Sequence, residues 1–417
     1  MSSTPSLYNL PMRVLLLNMY YPPDTSATAK MIASVAAALS TKHEVTILCG
    51  RPSYDPTERR RWRLWQAERM PGQQTGAQTV IRVGSTTYPR VKMKGRILNY
   101  LTYVTLAVPR ALFLSCDVIL AMTDPPFAGI VGAFVALLKG KPYVYNIRDM
   151  YPDMARGGSI VGPGFLSRIW EKLHRWALRR ATRVIVLGDD MCARIIAKGV
   201  DRQRVRVVRD GAEIIPADSA PPVLDTEVIR AIRGDFRFVL LHAGNLGFYG
   251  AWQTLLSAAR EFSKDGVGFV FVGDGAQRPQ LEAAAGGSTN IRFLPFFPAA
   301  KISSVLAAAD VHIVTIKRGL EGVVVPSKMY GILAAGRPIV AVAPRETDAA
   351  TLAVRQGFGL TADPDNPVEL VGAIRSLAND PQRIAAMGAA ARAAAFDYDR
   401  VNELRKFVQI IEEAGQA

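Results

Sequence analysis

The sequence predicts an α/β protein made of two doubly wound, Rossmann-like domains in tandem. Short apolar runs alternate with helical stretches along the chain, as they do in βαβ units. A Pro-rich stretch at residues 215–222 divides these runs into two series, and 417 residues are enough for two domains of ordinary size. Such folds bind ligands at the carboxyl ends of their strands, so we expect a site in the cleft between the domains.

The first domain is expected at residues 1–212. Its predicted strands are almost entirely apolar, which is typical of a parallel sheet covered on both faces. These strands are residues 13–18, 44–48, 117–121, 142–146 and 183–187. The helical stretches between them are residues 27–39, 98–115, 127–138 and 165–181.

The second domain is expected at residues 213–395 and repeats the same alternation. Its predicted strands are residues 238–242, 268–272, 311–315 and 338–342. We expect residues 396–417 to form a C-terminal helix that packs back toward the first domain.

The charge is concentrated in the first half of the chain. The protein has 51 Lys and Arg against 36 Asp and Glu, a formal charge of +15. Residues 1–209 hold 31 of the 51 basic and 13 of the 36 acidic side chains, so this half carries the whole excess. A nucleic acid, an anionic membrane face or a phosphate-bearing substrate would each match it.

Several classes of protein are excluded by composition. With 49% hydrophobic and 21% charged residues, the chain is not disordered. Cys49, Cys116 and Cys192 are too few and too scattered for a disulfide framework or a zinc site, which favours a reducing, cytosolic compartment. Residues 1–10 lack the basic and apolar regions of a secretory signal, so secretion is not expected.

A membrane surface is a candidate partner of the basic half. No run of 18 uninterrupted apolar residues is present, so we expect no spanning helix. Residues 59–65 and 88–94, followed by an apolar helix, mix cations with Trp and large apolar groups, a mixture that suits lipid headgroups. The alternative is a solvated basic loop before a core helix. Residues 165–180 are interpreted as a core helix with cations opposite.

Two glycine-rich turns follow strands of the second domain. Residues 242–250 (His-Ala-Gly-Asn-Leu-Gly-Phe-Tyr-Gly) leave a strand and enter a helix, where glycines let the backbone approach a phosphate near a helix N-terminus. Residues 271–278 form a similar Gly-Asp-Gly bend. Either could instead be a tight turn without a ligand.

A third segment, residues 317–338, adds side chains of two kinds. Glu321 can accept hydrogen bonds from sugar hydroxyls, whereas Lys328, at the start of a short helix, can face a diphosphate. Together these groups match the two halves of a nucleotide-sugar.

The motifs in this order resemble the GT-B glycosyltransferases of the large retaining family 4, over nearly the whole chain. The pieces most similar to bacterial enzymes of O-antigen, capsule or exopolysaccharide synthesis, including fucosamine transferases, are Arg-Asp-x-x-Pro and Pro-Ser-Lys. The motifs are residues 20–23 (Tyr-Tyr-Pro-Pro), 123–126 (Thr-Asp-Pro-Pro), 148–153 (Arg-Asp-Met-Tyr-Pro-Asp), 244–247, 272–275, 326–330 (Pro-Ser-Lys-Met-Tyr) and 336–338 (Gly-Arg-Pro).

The resemblance implies roles for individual residues. Asp149, Lys328 and Glu321 would be catalytic. The residues expected at the donor are Gly244, Asn245, Gly247, Asp274, Arg278, Lys317, Pro326, Ser327 and Tyr330. Those expected at the acceptor are Asp24, Ser26 and Arg148. For Asp149 with Arg148, and for Asp274 with Arg278, the alternative is a purely structural ion pair.

The chain departs from the family pattern at one position. The family usually carries two glutamates in this segment, one near the transferred sugar and one on the ribose. Glu321 can stand for the first, but alignment through residues 333–336 puts Gly331 at the second. Ribose recognition would then come from elsewhere.

The resemblance implies sugar transfer with retention from a nucleoside diphosphate donor, expected to be a UDP-sugar, without a metal or other cofactor. We expect a polyprenyl-diphosphate-linked saccharide as acceptor and a peripheral location on the cytoplasmic face of the membrane. The alternatives are transfer to a soluble acceptor and a nucleotide-sugar-binding pseudoenzyme.

Nucleic acid is not an expected partner, because the sequence has no recognisable module that binds single strands or reads a groove. Dehydrogenase activity is not expected because the turn after Asn18 is Pro-rich. Asp363 and Asp365 are interpreted as a turn and helix cap, not a metal motif.

Overall fold

The computed structural model describes residues 11–53, 64–70, 78–89, 93–157, 162, 164–214 and 222–417. It contains two α/β domains, each built around one sheet, of eight and six strands. The predicted fold class is therefore confirmed. The predicted Pro-rich division at residues 215–222 and the basic tract at residues 59–65 lie largely outside the described residues, as do residues 1–10.

The N-terminal sheet has the strand order β3-β4-β2-β1-β5-β6-β7-β8. Its strands are β1 Arg13–Leu17, β2 Glu44–Cys49, β3 Trp65–Met70, β4 Gln78–Val83, β5 Val118–Ala121, β6 Tyr143–Asn146, β7 Arg183–Val186 and β8 Val205–Val207. The central strands are completely buried, as their apolar sequences predict. The strands predicted for this domain are all parallel to one another. Strand β3, which the sequence did not predict, adds an antiparallel edge by pairing with β4.

Two helical layers cover this sheet. The helices are α1 Ala27–Leu39, α2 Met93–Phe113, α3 Ala128–Lys139, α4 Asp153–Gly157, α5 Phe165–Arg180 and α6 Asp189–Ala197. Helices α2, α3 and α5 pack their inner faces on one side of the sheet, where Tyr103, Val135 and Leu178 are buried together. The apolar run predicted a start near residue 98, but helix α2 already begins at Met93, since the turn before that run, with Lys94 and Arg96, is helical as well.

The C-terminal sheet is entirely parallel, with the order β11-β10-β9-β12-β13-β14. Its strands are β9 Phe238–Ala243, β10 Val267–Val272, β11 Ile291–Leu294, β12 Val311–Thr315, β13 Ile339–Val342 and β14 Gly359–Ala362. Its helices are α7 Thr226–Arg233, α8 Trp252–Arg260, α9 Arg278–Ala285, α10 Ile302–Ala307, α11 Lys328–Ala334, α12 Asp348–Arg355, α13 Pro367–Ala378 and α14 Pro381–Ala395.

The last helix, α15 Arg400–Gly415, belongs to the N-terminal core. Its Phe407 and Ile411 are buried with Val14 and Ile32 on the sheet face opposite α2 and α5. The chain thus crosses between the domains twice, and the two crossings pair: the amide of Arg400 donates to the carbonyl of Ala212 over 2.9 Å.

The described residues lack two features, a membrane-spanning helix and a metal-binding cluster. None of the described helices combines the length and apolar character needed to cross a bilayer. The described residues also contain no group of three or more His, Cys, Asp and Glu side chains arranged to hold a metal ion.

Candidate active site

The first part of the site is the turn that follows β9. This strand is central and buried, and at Gly244 the chain leaves it with a φ of 147°, in a region that favours glycine. A Cβ atom placed on Gly244 would meet the Lys328 side chain first, with its Nζ 3.7 Å away. The space in front of Gly244 is therefore bordered by a cation.

A second turn, at residues 272–275, supports the first. The amides of Gly244 and Leu246 donate to the carbonyls of Val272 and Asp274, both over 2.8 Å. A Cβ on Gly273 would clash with the Gly244 carbonyl oxygen, and one on Gly275 would lie 2.5 Å from the Leu246 carbonyl oxygen. These glycines are needed because the two backbones touch.

Lys328 begins α11 and points at the end of β9. Its Nζ lies 2.9 and 3.0 Å from Nδ1 and Nε2 of His242, a side chain with no exposure to solvent. Burial lowers the pKa of Lys328 to about 7. Burial, and then the nearby Lys328 cation, also lower the pKa of His242 well below its usual range. The imidazole of His242 is therefore neutral where it contacts the Lys328 ammonium.

The loop between β12 and α11 of the C-terminal domain forms hydrogen bonds with the N-terminal domain. The Glu321 carboxylate accepts from the amide of Gly319 over 2.7 Å, and the Glu321 carbonyl accepts from Arg194 of α6 over 2.8 Å. The amide of Met150 donates to the Val323 carbonyl over 3.1 Å. This loop therefore forms one wall of the cleft.

Two carboxylates of the N-terminal domain lie together across the cleft. Asp124 follows β5 and Asp149 follows the neighbouring strand β6, so both stand at the carboxyl edge of the sheet. Burial raises the pKa of Asp149 to about 6, and the nearby Asp124 carboxylate adds to the rise. The backbone of Asp149 forms a bridge with Val324 of the opposite loop.

Both domains match models of glycosyltransferase families. Residues 26–211 match the family described as "Glycosyl transferase 4-like domain", and residues 237–380 match "Glycosyl transferases group 1". The chain is a GT-B glycosyltransferase of the family 4 type.

Relatives of this transferase include two curated bacterial proteins. It is 27% identical to the probable glycosyltransferase WbjE of Pseudomonas aeruginosa over 260 residues, which are 61% of this chain and 64% of WbjE. It is 25% identical over 415 residues to the putative colanic acid biosynthesis glycosyl transferase WcaI of Escherichia coli K12, covering 96% of this chain and all of WcaI.

Solved structures share the fold of the transferase. The crystal structure of Anabaena HepE in complex with UDP-glucose superposes with a TM-score of 0.67 and 19% identity, covering 97% of this chain and 100% of that one. The relatives thus support the resemblance to bacterial polysaccharide enzymes, whereas the fucosamine type stays a prediction.

The structure of the transferase brings part of the predicted donor set together. Gly244, Asn245 and Gly247 share one turn with Lys328 beside it. Asp274 is exposed at the second turn, where its carboxylate accepts from the Gly275 amide. The other donor residues on the same side are Lys317, whose amide donates to the Tyr249 carbonyl, and Pro326 and Ser327, just before α11.

Other predicted residues have structural partners instead. Arg278 donates to the Gly273 carbonyl over 2.7 Å and pairs with Glu282, so it braces the second turn. Tyr330 is 1% exposed and packs beside Tyr398 in the core, because its position on α11 points it away from the cleft. Glu321 is held by Gly319 within its own loop.

The predicted acceptor residues are also held by neighbours. One guanidinium nitrogen of Arg148 donates to both carboxylate oxygens of Asp210, each over 2.7 Å. Asp24 accepts from the amide of Ser53, and Ser26 is the N-cap of α1, accepting from Ala29 over 3.0 Å. These contacts position the loops around the cleft.

The sequence reasoning missed three groups of the site: His242, Asp124 and Tyr249. All three lie in segments that the sequence singles out, but no role was assigned to them. His242 stands near the end of β9 and Asp124 shortly after β5, and this placement was the available signal for these two, whereas Tyr249 lies in the turn beyond β9. Tyr249 reaches the cleft from the first turn, where burial and then Asp149 raise its pKa.

Proposed function

We propose that this protein transfers a sugar from a nucleoside diphosphate donor, expected to be a UDP-sugar, to a saccharide linked to polyprenyl diphosphate. The observation that carries the proposal is the Lys328 side chain held by His242 against the turn at Gly244. A glycine, a cation and open space beside the backbone at the end of a central strand are features that suit the binding of a diphosphate.

The proposed diphosphate contacts can be assigned by elimination within the turn. The amides of Gly244 and Leu246 already donate to the second turn. We therefore assign the amides of Asn245 and Gly247, together with Lys328, to the donor. Hydrogen-bond donors and cations that already stand where negative charge develops stabilise the departing diphosphate without having to rearrange. The proposed mechanism uses no metal ion.

The proposed reaction exchanges one carbon–oxygen bond for another. The bond from the anomeric carbon to the diphosphate breaks, and the acceptor hydroxyl oxygen bonds to that carbon on the same face. The hydroxyl proton passes to the departing diphosphate. We assign Asp149 to a hydrogen bond with the sugar or acceptor hydroxyl, since it stands opposite the donor turn.

The proposals for the acceptor and for the pathway are supported by the relatives and by the positive charge of the first half of the chain. WcaI is named for colanic acid biosynthesis, and HepE binds UDP-glucose. The name of WcaI supports a role in bacterial surface polysaccharide synthesis, and we propose a hexosyl or N-acetylhexosaminyl transfer. The basic first half supports an anionic, lipid-linked acceptor and a peripheral position on the cytoplasmic membrane face.

The proposal is tested by measuring nucleoside diphosphate release from UDP-, GDP- and dTDP-sugars by the wild type and by Lys328→Ala. We expect release from one donor class and a loss of about 100-fold or more in the variant. The melting temperature should not fall, because the substitution removes a partly buried cation. The exposed Lys264→Ala is the matched control. Unchanged release by Lys328→Ala would contradict the proposal.

A further inference from the structure

Large apolar side chains are exposed on one side of the N-terminal domain. Of the 25 large hydrophobic side chains that are exposed in the described part of the chain, 12 lie on α2, α3 and α5. They are Met93, Ile97, Leu98, Leu101, Phe113, Phe134, Leu137, Leu138, Phe165, Leu166, Ile169 and Leu173. Scattered apolar residues on a surface are normal, but a cluster of this size marks an interaction site.

The three helices form one continuous layer. Helix α3 packs between α2 and α5, and the inner faces of all three are buried on the sheet. A surface helix normally turns a polar stripe to solvent. Here Ile97, Leu98 and Leu101 of α2 and Leu137 and Leu138 of α3 face outward instead. We call this surface the outer helical face.

The charge on the outer helical face is almost all positive. Nine Lys and Arg side chains lie on the three helices, against the single carboxylate of Glu171. Glu171 is itself paired with Lys198 and Arg175, both over 2.8 Å. On α5, Arg168 and Lys172 are exposed beside the apolar Phe165, Leu166, Ile169 and Leu173.

Helix α5 therefore differs from its interpretation as a core helix. Phe165 and Leu166 are 69% and 79% exposed, although their spacing predicted burial. The buried residues of α5 are Ser167, His174, Ala177 and Leu178, and Trp176 packs against the core beside them. Apolar residues flanked by cations on one helix are typical of a helix that lies at a lipid interface.

We propose that the outer helical face docks on an anionic lipid bilayer. The apolar centre would enter the headgroup boundary, and the cations of α5 would meet lipid phosphates. A second copy of this chain is disfavoured as the occupant, because two such faces would bring like charges together. The proposal rests on the proposed function, since a lipid-linked acceptor gives the transferase a reason to be there.

The outer helical face also leads to the proposed acceptor site. Helices α2 and α5 run antiparallel to the parallel strands, so both begin at the carboxyl edge that carries Asp149. Tyr151 connects them, because its ring stacks on Trp170 of α5. Burial, followed by Asp149, Asp124 and Tyr100 of α2, raises the pKa of Tyr151. An acceptor held at headgroup depth would therefore lie close to the cleft.

Co-sedimentation of the full chain with vesicles tests the proposal. We expect binding to vesicles of phosphatidylcholine with phosphatidylglycerol and weak binding to phosphatidylcholine alone. The double variants Leu98→Ser/Leu101→Ser and Phe165→Ser/Leu166→Ser should each weaken binding at least tenfold. Arg168→Gln/Lys172→Gln should weaken it on the order of tenfold, and added salt should remove this difference.

Matched controls change equally exposed side chains of the C-terminal domain. Val354→Ser/Val368→Ser and Arg230→Gln/Lys264→Gln should leave vesicle binding unchanged. Absence of wild-type binding, equal losses in test and control variants, or a dimer by light scattering that the apolar variants convert to monomer would overturn the proposal. Nucleoside diphosphate release in solution, measured on the same samples, reports on the proposed function separately and should survive every one of these variants.

Discussion

At the scale of single residues, the site contains two ionisable groups whose pKa values move toward neutrality from opposite directions. Burial lowers the pKa of Lys328 to about 7 and raises that of Asp149 to about 6. In both cases the protein disfavours the charged form, and a polar ligand would restore the lost interactions. Such groups are found at functional sites more often than elsewhere.

Donor binding should therefore depend on pH through Lys328. The free site holds a protonated lysine below pH 7 and loses the proton above it, whereas a bound diphosphate stabilises the ammonium and raises its pKa. Affinity for the donor should be constant below pH 7 and fall by up to about tenfold per pH unit above it. Titration calorimetry in buffers of different ionisation enthalpy should show proton uptake at pH 8.

Lys328→Arg provides the control for this pH dependence, because arginine remains charged throughout the range. Its donor affinity should be flat between pH 7 and 9. The same slope in both proteins would show that another group is responsible.

Two aspartates should affect stability with opposite signs. The pKa of Asp149 is raised to about 6, so its ionisation costs stability as pH rises from 3.8 to 6, and Asp149→Asn should stabilise the fold at pH 7 by about 2 kcal/mol. Hydrogen bonds and charge from Arg13 lower the pKa of Asp117 to about 2. Asp117→Asn should destabilise at pH 7 by about 1 kcal/mol, an effect lost as pH falls from 3.8 toward 2.

Urea denaturation at pH 3, 5 and 7 measures both free energies of unfolding. Asp149→Asn should also lower the rate of sugar transfer, whereas Asp117→Asn should leave it unchanged, since Asp117 lies at the opposite end of β5. Destabilisation of the fold by Asp149→Asn at pH 7 would contradict the charge assignment.

At the scale of elements, the donor side depends on two turns that fit only because glycines stand at their contact. The Gly273 position carries a φ of 145° and has no room for a Cβ next to the Gly244 carbonyl. The second turn thereby fixes the direction in which the first leaves β9.

Gly273→Ala should displace the first turn and weaken donor binding by tenfold or more, with a loss of 1–3 kcal/mol in stability. The measurements are donor titration and thermal unfolding. Gly372→Ala on α13 is the control: no atom lies within 4 Å of its Cβ position, and alanine favours the helix. Wild-type donor affinity in Gly273→Ala would mean that the turns are not coupled.

The elements that the sequence predicted well are those with uniform apolar runs. Strands β1, β9 and β12 are buried along almost their full length, so composition alone located them. Strand β3 was missed because its Gln, Glu and Arg are typical of a loop, and only pairing with β4 makes it a strand.

In the candidate site, the motif at residues 326–330 was enough to predict Lys328. Its contact with His242 joins residues 86 positions apart, which no local pattern reveals.

At the scale of the whole molecule, the two domains are tied by the returning helix α15 and by an ion pair at the first crossing. Arg209 donates to the Asp348 carboxylate over 3.0 Å, with 16% and 4% of the two side chains exposed. Helix α15 completes the N-terminal core from the C-terminal end of the chain. The N-terminal domain therefore depends on residues that follow the C-terminal one.

Ile411→Ala should destabilise the N-terminal domain by about 2–5 kcal/mol, because the side chain is fully buried against the sheet. Val401→Ala, on the same helix but 50% exposed, should change stability by less than about 0.5 kcal/mol. Urea denaturation followed by tryptophan fluorescence measures the effect, since four of the five tryptophans of the chain (residues 62, 65, 170 and 176) belong to this domain. Equal effects of the two substitutions would show that α15 does not contribute to the core.

The most direct test of the account is a crystal structure of the protein with uridine diphosphate. We predict that the diphosphate lies in front of Gly244, within hydrogen-bonding distance of the Lys328 ammonium and of the amides of Asn245 and Gly247. A nucleotide bound elsewhere, or bound in this cleft with the Lys328 ammonium beyond hydrogen-bonding distance of the phosphates, would contradict it.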